Sequence, residues 1–424
     1  MKLKYELNDR PRIVPMLMYG LQWLLIAIPV VLTSTFVAPE GETVMFTRKL
    51  FGIMGAGMIL QALFGHRLPL ISGPAAALLM GILAATLQGY GSAAIYTSIF
   101  IGGAVIALAA LCGITERVGH LFTPRIVIVI LMLIAFTIAR PILGLIFSDS
   151  EHQLLAFCFS TICVLLMAAA NNLLRGTWKT TVVTIALIFG SLIYYAITGF
   201  PSAIAADTHS SPLFVFTPEF DFGLILSFLF CYIAFFINEV GSIQSLGTMI
   251  GADAMKSRNR RGMGMVGILN MLAGSMGTIG PIDYSLSPGV VASTSCASRY
   301  TVIPAGIAMI AIAFWPQAVG VLMTIPATVM GTILLFLMGT QLAAGFEMTH
   351  STRSVTSFRH GLIIGIPIMF DVILSFAPAE AIAQIPALIR PIAGNGFVMG
   401  VIIVLILEHI ILKDGQEVRP TKER

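Results

Sequence analysis

Apolar runs of about twenty residues follow one another along this chain. No other feature limits its fold as severely, because that length is what a helix needs to cross a hydrocarbon layer roughly 30 Å thick. Cutting the sequence wherever charge, Pro or Gly clusters part such runs yields about fourteen spans. The clearest cover 13–36, 47–64, 92–114, 123–147, 153–170, 179–198, 221–245, 261–279, 301–322, 326–346, 361–377 and 391–412. Two weaker ones, 68–87 and 282–298, are broken by Gly and Pro. With 57% hydrophobic against 10% charged residues, the composition lies outside the range of water-soluble domains. The expectation is an all-α, polytopic membrane protein embedded in a lipid bilayer.

Threading the spans alternately, with both termini cytoplasmic, puts 20 of the 24 Lys and Arg residues inside and leaves Arg48, Lys49, Arg140 and Arg390 outside. This bias supports an even number of spans and accounts for the net charge of +4, so no nucleic-acid partner is indicated. The first apolar run exceeds the length of a signal-peptide core and lacks a small-residue cleavage pattern, so it is read as a retained helix. The five cysteines lie in or beside apolar spans without metal-ligand spacing and are read as packing residues; no metal and no cofactor is expected. The polar connection 199–220 is read as an external loop and 413–424 as a cytoplasmic tail.

Internal repetition organises the chain. "VGHLFTPRIVIVILMLIAF" from Val118 and "VGVLMTIPATVMGTILLFL" from Val319 share a V-G-x-L-x-T start, a following Pro and an apolar run. Upstream of each sits one broken span, "LISGPAAALLMG" (Leu70–Gly81) and "YSLSPGVVAST" (Tyr284–Thr294). The chain is therefore read as two copies of seven spans, 1–198 and 221–412, inverted because seven is odd. Paired interrupted helices in an inverted repeat mark a substrate site near the bilayer midplane. Backbone groups freed at the breaks must be satisfied by protein, water or ligand. Pro74 and Pro288 suit the first turn of a helix, so half-helices are expected to begin near Gly73 and Ser287, with their positive ends towards a central cavity.

The chain resembles the nucleobase and ascorbate transporters, the nucleobase:cation symporter-2 or xanthine/uracil permease family. The motifs that carry the resemblance are "GLQW" (Gly20–Trp23), "GHRLPLISGPAAALLMG", "LFTPRIVIVIL", "NEVGSIQSLGTMIGAD", "RRGMGMVGILNMLAGSMGTIG" and "RPIAGNGFVMGVI". It implies fourteen helices in a seven-plus-seven inverted repeat, with short strands in the breaks of helices 3 and 10. It further implies a core domain (helices 1–4 and 8–11) moving against a gate domain (5–7 and 12–14), and a homodimer through gate helices.

Departures from the family pattern shape the expected site. The family's first-helix Gln-His pair stands here as Gln22-Trp23. Its helix-8 acid falls on Asn238, with Glu239 one residue late, and its helix-10 acid falls on Leu286. The substrate set implied by the resemblance is Gln22, Trp23, Gly73, Ala75, Ala76, Asn238, Glu239, Tyr284, Ser285, Leu286, Ser287 and Gly289. Ionisable residues inside membrane segments are functional by default, which makes Glu239 and Asp283 the proton-coupling candidates. Asp371 is read as structural, and Glu408 and His409 as interfacial.

The expected function is secondary transport, by symport with H+ or Na+, of a nucleobase-like heterocycle across the cytoplasmic membrane. Carboxylate and carboxamide groups can read the adjacent donors and acceptors of such a ring in pairs. The alternative is a small-anion transporter on the same plan, since two helix amino termini aimed at one cavity suit an anion. "GMGMVG" (Gly262–Gly267) matches a dinucleotide pattern but opens a membrane helix after a basic turn with no strand before it, so its glycines are read as packing positions. No catalytic triad points to an enzyme.

Overall fold

The computed structural model describes residues 3–412 apart from 33, 40, 114–122, 175–181, 201–211, 215, 285–286 and 387–388. The tail 413–424, most of the polar connection 199–220, the V-G-x-L start at Val118, and Ser285 and Leu286 lie outside the described residues.

The first half runs α1 (Ile13–Leu32), α2 (Thr43–Leu63), β1 (Ser72–Pro74), α3 (Ala76–Leu87), α4 (Ser92–Leu111), α5 (Pro124–Thr137), α6 (Ala139–Ile146), α7 (Gln153–Leu173) and α8 (Val182–Thr198). The second runs α9 (Phe222–Ile250), α10 (Met255–Met276), β2 (Pro281–Asp283), α11 (Ser287–Thr294), α12 (Val302–Ala313), α13 (Pro316–Met323) and α14 (Ala327–Ser351). It ends with α15 (Phe358–Ser375), α16 (Ala379–Ala383), α17 (Arg390–Ala393) and α18 (Gly396–Ile406). Among the described residues, eight helices are long and apolar enough to cross a bilayer. Large apolar side chains such as Leu154, Leu165 and Leu173 on α7 face outward, as a lipid-facing helix requires.

Several expected spans are divided. The stretch 301–322 bends by 98° where Pro316 starts a new helix after Ala313, because proline supplies no amide to continue the preceding one. The stretch 123–147 stays one span, Pro124–Ile146, running through α5 and α6, and the last span begins at Gly396 behind the short α17. The first half-helix starts at Ala76 rather than near Gly73, because Ser72–Pro74 are extended and paired. Pro74 therefore sits in a strand, whereas Pro288 does occupy the first turn of α11.

Packing repeats between the halves. The two most extensive helix contacts are α4 with α10 and α2 with α12. Both are close glycine crossings. A Cβ on Gly267 would meet the Ala107 amide nitrogen at 2.6 Å, and one on Gly55 would meet the Gly306 carbonyl at 2.6 Å. Small residues let helix backbones approach to this distance, which is how helices adhere where no hydrophobic force acts between them. The "GMGMVG" glycines thus serve packing.

The two strands hold the breaks together. β1 and β2 pair antiparallel, Ser72 opposite Asp283, Gly73 opposite Ile282 and Pro74 opposite Pro281. The ladder extends through Tyr284 N–H to the Ile71 carbonyl (2.8 Å) and Ala75 N–H to the Gly280 carbonyl (3.0 Å). The Pro281 carbonyl accepts from Asn270 Nδ2 at 3.0 Å, and Asn270 Oδ1 accepts from the Tyr232 hydroxyl at 2.9 Å. Each helix interruption thereby finds partners inside the protein, the condition for irregular backbone at membrane depth.

Candidate functional site

A cavity of about 610 Å³ adjoins the strand pair. One wall is built by Val30 of α1, Pro74, Ala76 and Leu79, Tyr284, and one face of α9; the other by α5 and α14. On α9 the lining residues are Ile237 together with Asn238, Gly241, Ser242 and Ser245, the last four spaced as i, i+3, i+4 and i+7 along one helical face. Gln341 on α14 closes the far side, its amide nitrogen donating to the Leu131 carbonyl at 3.0 Å. The remaining wall is chiefly aliphatic. Among the described residues, no Lys, Arg, His, Asp or Glu lines the cavity.

Glu239 follows Asn238 by one residue and so points roughly 100° away around α9. It is fully buried and meets the strand pair rather than the cavity: its Oε2 accepts from the Asp283 backbone N–H at 2.8 Å. Its Oε1 has no hydrogen-bond partner. Asp283 is also fully buried, with Oδ1 accepting from the Ser72 hydroxyl at 2.7 Å and Oδ2 standing 2.8 Å from His66 Nε2. That last contact is electrostatic, its angle lying outside hydrogen-bond range. His66 Nδ1 accepts from Leu68 N–H at 2.9 Å, so the proton of the neutral ring belongs on Nε2, facing Asp283.

The cluster is anchored from several elements. Arg258 Nη1 donates to the His66 carbonyl at 3.0 Å, and Gln61 Oε1 accepts from His66 N–H at 3.4 Å. Ser287, first residue of α11, accepts from Ile71 N–H through its hydroxyl at 3.0 Å. The Tyr284 hydroxyl donates to the Pro74 carbonyl at 2.6 Å and spans the break. Gly73 lies beneath that ring, where a Cβ would approach Tyr284 to 2.4 Å.

The expected residues therefore sort into three groups. Ala76, Asn238 and Tyr284 line the cavity. Gly73, Ala75, Glu239, Asp283 and Ser287 form the buried crossing behind it. Gln22 and Trp23 do not line it. Trp23 instead donates from Nε1 to Thr301 Oγ1 at 3.0 Å, tying α1 to the residue preceding α12. His66 and Ser72 escaped the sequence reading. The signal was present in "GHRLPLIS", an ionisable ring beside a broken apolar span, but it read as part of an inner turn.

Two further acids are placed differently from their neighbours. Asp371 is fully buried and accepts from the Thr137 hydroxyl at 2.8 Å. Glu408 is 5% exposed and takes both carboxylate oxygens to Arg125 Nε, at 3.0 and 2.9 Å. It forms an interhelical ion pair with Arg125 in the first turn of α5.

A multi-pass helical membrane protein whose two halves cross through short strands behind a cavity is built as a transporter. The model of the Xan_ur_permease family, described as "Permease family", matches residues 15–380, and the chain belongs to that family. The chain is 25% identical over 347 residues to the uric acid permease PucJ of Bacillus subtilis, covering 78% of this chain and 76% of PucJ. It is 23% identical over 356 residues to the nucleobase transporter PlUacP of Paenibacillus larvae, covering 82% and 81%. Among solved structures, the transmembrane domain of a cyanobacterium bicarbonate transporter, BicA, has the same fold. The TM-score is 0.62 at 14% identity, over 87% of this chain and 97% of that one. A permease of this kind is a transport protein and not an enzyme.

Proposed function

We propose that this permease carries nucleobases, purines or closely related heterocycles, across the cytoplasmic membrane by secondary active transport. The observation that carries the reading is the cavity beside the strand crossing: mainly aliphatic walls with Asn238, Ser242, Ser245 and Tyr284 gathered on one side. A neutral planar ring buries its faces against the walls and pairs its edge donors and acceptors with the Asn238 amide. The names of the uric acid and nucleobase relatives support the same substrate class. An anion is a poorer fit, because the cavity offers no cationic side chain among the described residues.

In this reading the halves 1–198 and 221–412 are inverted seven-span repeats, with both termini cytoplasmic. The elements α1–α4 and α9–α13, with the strands, move as a core against a gate of α5–α8 and α14–α18, and gate helices pair two copies into a homodimer. Coupling is by protons. Glu239 and Asp283, joined through the Asp283 amide and backed by His66, form a buried acidic pair that exchanges one proton during alternating access. Na+ is the competing coupling ion.

Uptake of labelled uric acid, xanthine, uracil, ascorbate, sulfate and bicarbonate into cells expressing the chain tests the substrate class. Purine accumulation that collapses with a protonophore supports the proposal. Sulfate or bicarbonate uptake without purine uptake overturns it.

A further inference from the structure

A second cavity, of about 270 Å³, lies at the other end of α3 from the first. Met80, Leu83 and Leu87 of α3 make its apolar wall, and the ends of α5, α15 and α17 with the start of α18 make the opposite one. Among the described residues, its charged lining residues are Arg140 and Arg390, and no Asp or Glu lines it. Arg140 donates from Nη1 to the Ser375 carbonyl at 3.2 Å. Arg390 donates from Nε to the Ile385 carbonyl at 3.0 Å and from Nη2 to the Ala383 carbonyl at 2.9 Å. Each guanidinium has five N–H groups, so both retain donors.

Two amides add to these charges. Asn395 caps α18, its Oδ1 accepting from Val398 N–H at 3.2 Å. Its Nδ2, on a side chain only 2% exposed, has no partner. Gln88 has neither a partner for Nε2 nor one for Oε1, although both atoms are enclosed. Its Nε2 reaches the turn before α18, where a Cβ on Gly394 would meet it at 3.1 Å. A buried donor left unpaired forfeits the hydration it had in water, and the amino end of α18 contributes its own positive pole to the same place. Asp371, beside Gly396, bounds this region from α15 without lining the cavity. Two guanidinium groups against one carboxylate leave the site cationic.

We propose that this cavity binds an oxyanion, the phosphate of a lipid headgroup or a free phosphate, held by Arg140, Arg390 and Asn395 Nδ2 at the start of α18. Such an anion satisfies the orphaned amide and forms the charge-assisted, planar contacts that guanidinium groups favour. It also links the outer part of α3, whose first turns wall the substrate cavity, to α15 and α18.

The test uses the full-length purified protein and the variant Arg140→Gln/Arg390→Gln. The first arm measures thermal stabilisation by inorganic phosphate against chloride at equal ionic strength. The second measures retention of phosphatidylglycerol against phosphatidylcholine by native mass spectrometry after extraction from vesicles containing both. Stabilisation by phosphate that needs about tenfold more ligand in the double variant identifies a free-anion site. Selective phosphatidylglycerol retention that the variant loses identifies a lipid site. Equal behaviour of parent and variant in both arms overturns the proposal. Should the double variant fail to fold, Arg140→Gln alone, altering one exposed side chain, must weaken phosphate or phosphatidylglycerol binding, and unchanged binding overturns the proposal equally.

Discussion

His66 Nε2 stands 2.8 Å from Asp283 Oδ2, and both side chains are sealed from solvent. The ring follows α2 in the first half of the chain and the carboxylate ends β2 in the second, so this contact, with Ser72 and Glu239, fastens one half to the other at the strand crossing. Removing one member of a buried pair strands its partner's charge, at a cost of about 3 to 5 kcal/mol. His66→Ala and Asp283→Ala should each lose stability on that scale in denaturant unfolding, and the double variant should lose clearly less than the two together. Strict additivity would show that the two groups do not act as a pair.

Proton coupling through the same cluster has its own signature. Inward proton-driven uptake rises as external pH falls. Asp283→Asn should flatten that rise, and Glu239→Gln should spare substrate binding while abolishing accumulation against a gradient. Asp253, between α9 and α10, is the control. The hydrogen bond from Arg258 Nη2, 2.8 Å away, holds its carboxyl below the usual carboxylate range. A lowered pKa keeps it ionised throughout the assay range, so Asp253→Asn should leave the shape of the profile intact. A pH profile unchanged in Asp283→Asn would remove Asp283 from the mechanism.

Substrate recognition should rest on the cavity face of α9. Asn238→Ala leaves ring donors and acceptors unpaired in a dry site, so binding should weaken by about 1 to 3 kcal/mol, near tenfold in affinity. Trp23→Phe, remote from the cavity, should reduce stability through the lost Thr301 bond and leave affinity nearly unchanged. Competition binding with labelled substrate checks both; equal loss in the two variants would contradict the placement of the site.

Accessibility separates the cavity from the crossing behind it. In a cysteine-free background, cysteines at Ala76 and Ser245 should react with a small polar thiol reagent and be protected by substrate. Cysteines at Ala75 and Ser287, whose positions are fully buried, should react slowly. Rapid labelling of the second pair would place the crossing in contact with water.

Helix contact can be tested on α10 alone. Gly267→Ala places a methyl group about where the Ala107 backbone lies, and should destabilise by roughly 1 to 3 kcal/mol. Gly264→Ala meets Ala110 Cβ at 3.7 Å, ordinary contact, and should be close to neutral. Thermal unfolding in detergent distinguishes them.

The membrane class was legible in the sequence because burial in lipid demands continuous apolar runs, and such runs survive any rearrangement of neighbours. The location of the breaks was legible for the same reason: Gly-Pro and Pro-Gly inside an apolar span leave backbone groups that something must satisfy. What satisfied them was decided by tertiary structure. Only the pairing of Ser72–Pro74 with Pro281–Asp283 moved the first half-helix start to Ala76 and brought His66 to Asp283. The division of labour between Asn238 and Glu239 likewise depends on which side of α9 faces the cavity, and adjacent residues on a helix point about 100° apart. A sequence records that both are polar; the packing of α9 between the strand crossing and the α5–α14 wall determines that one meets the cavity and the other meets Asp283.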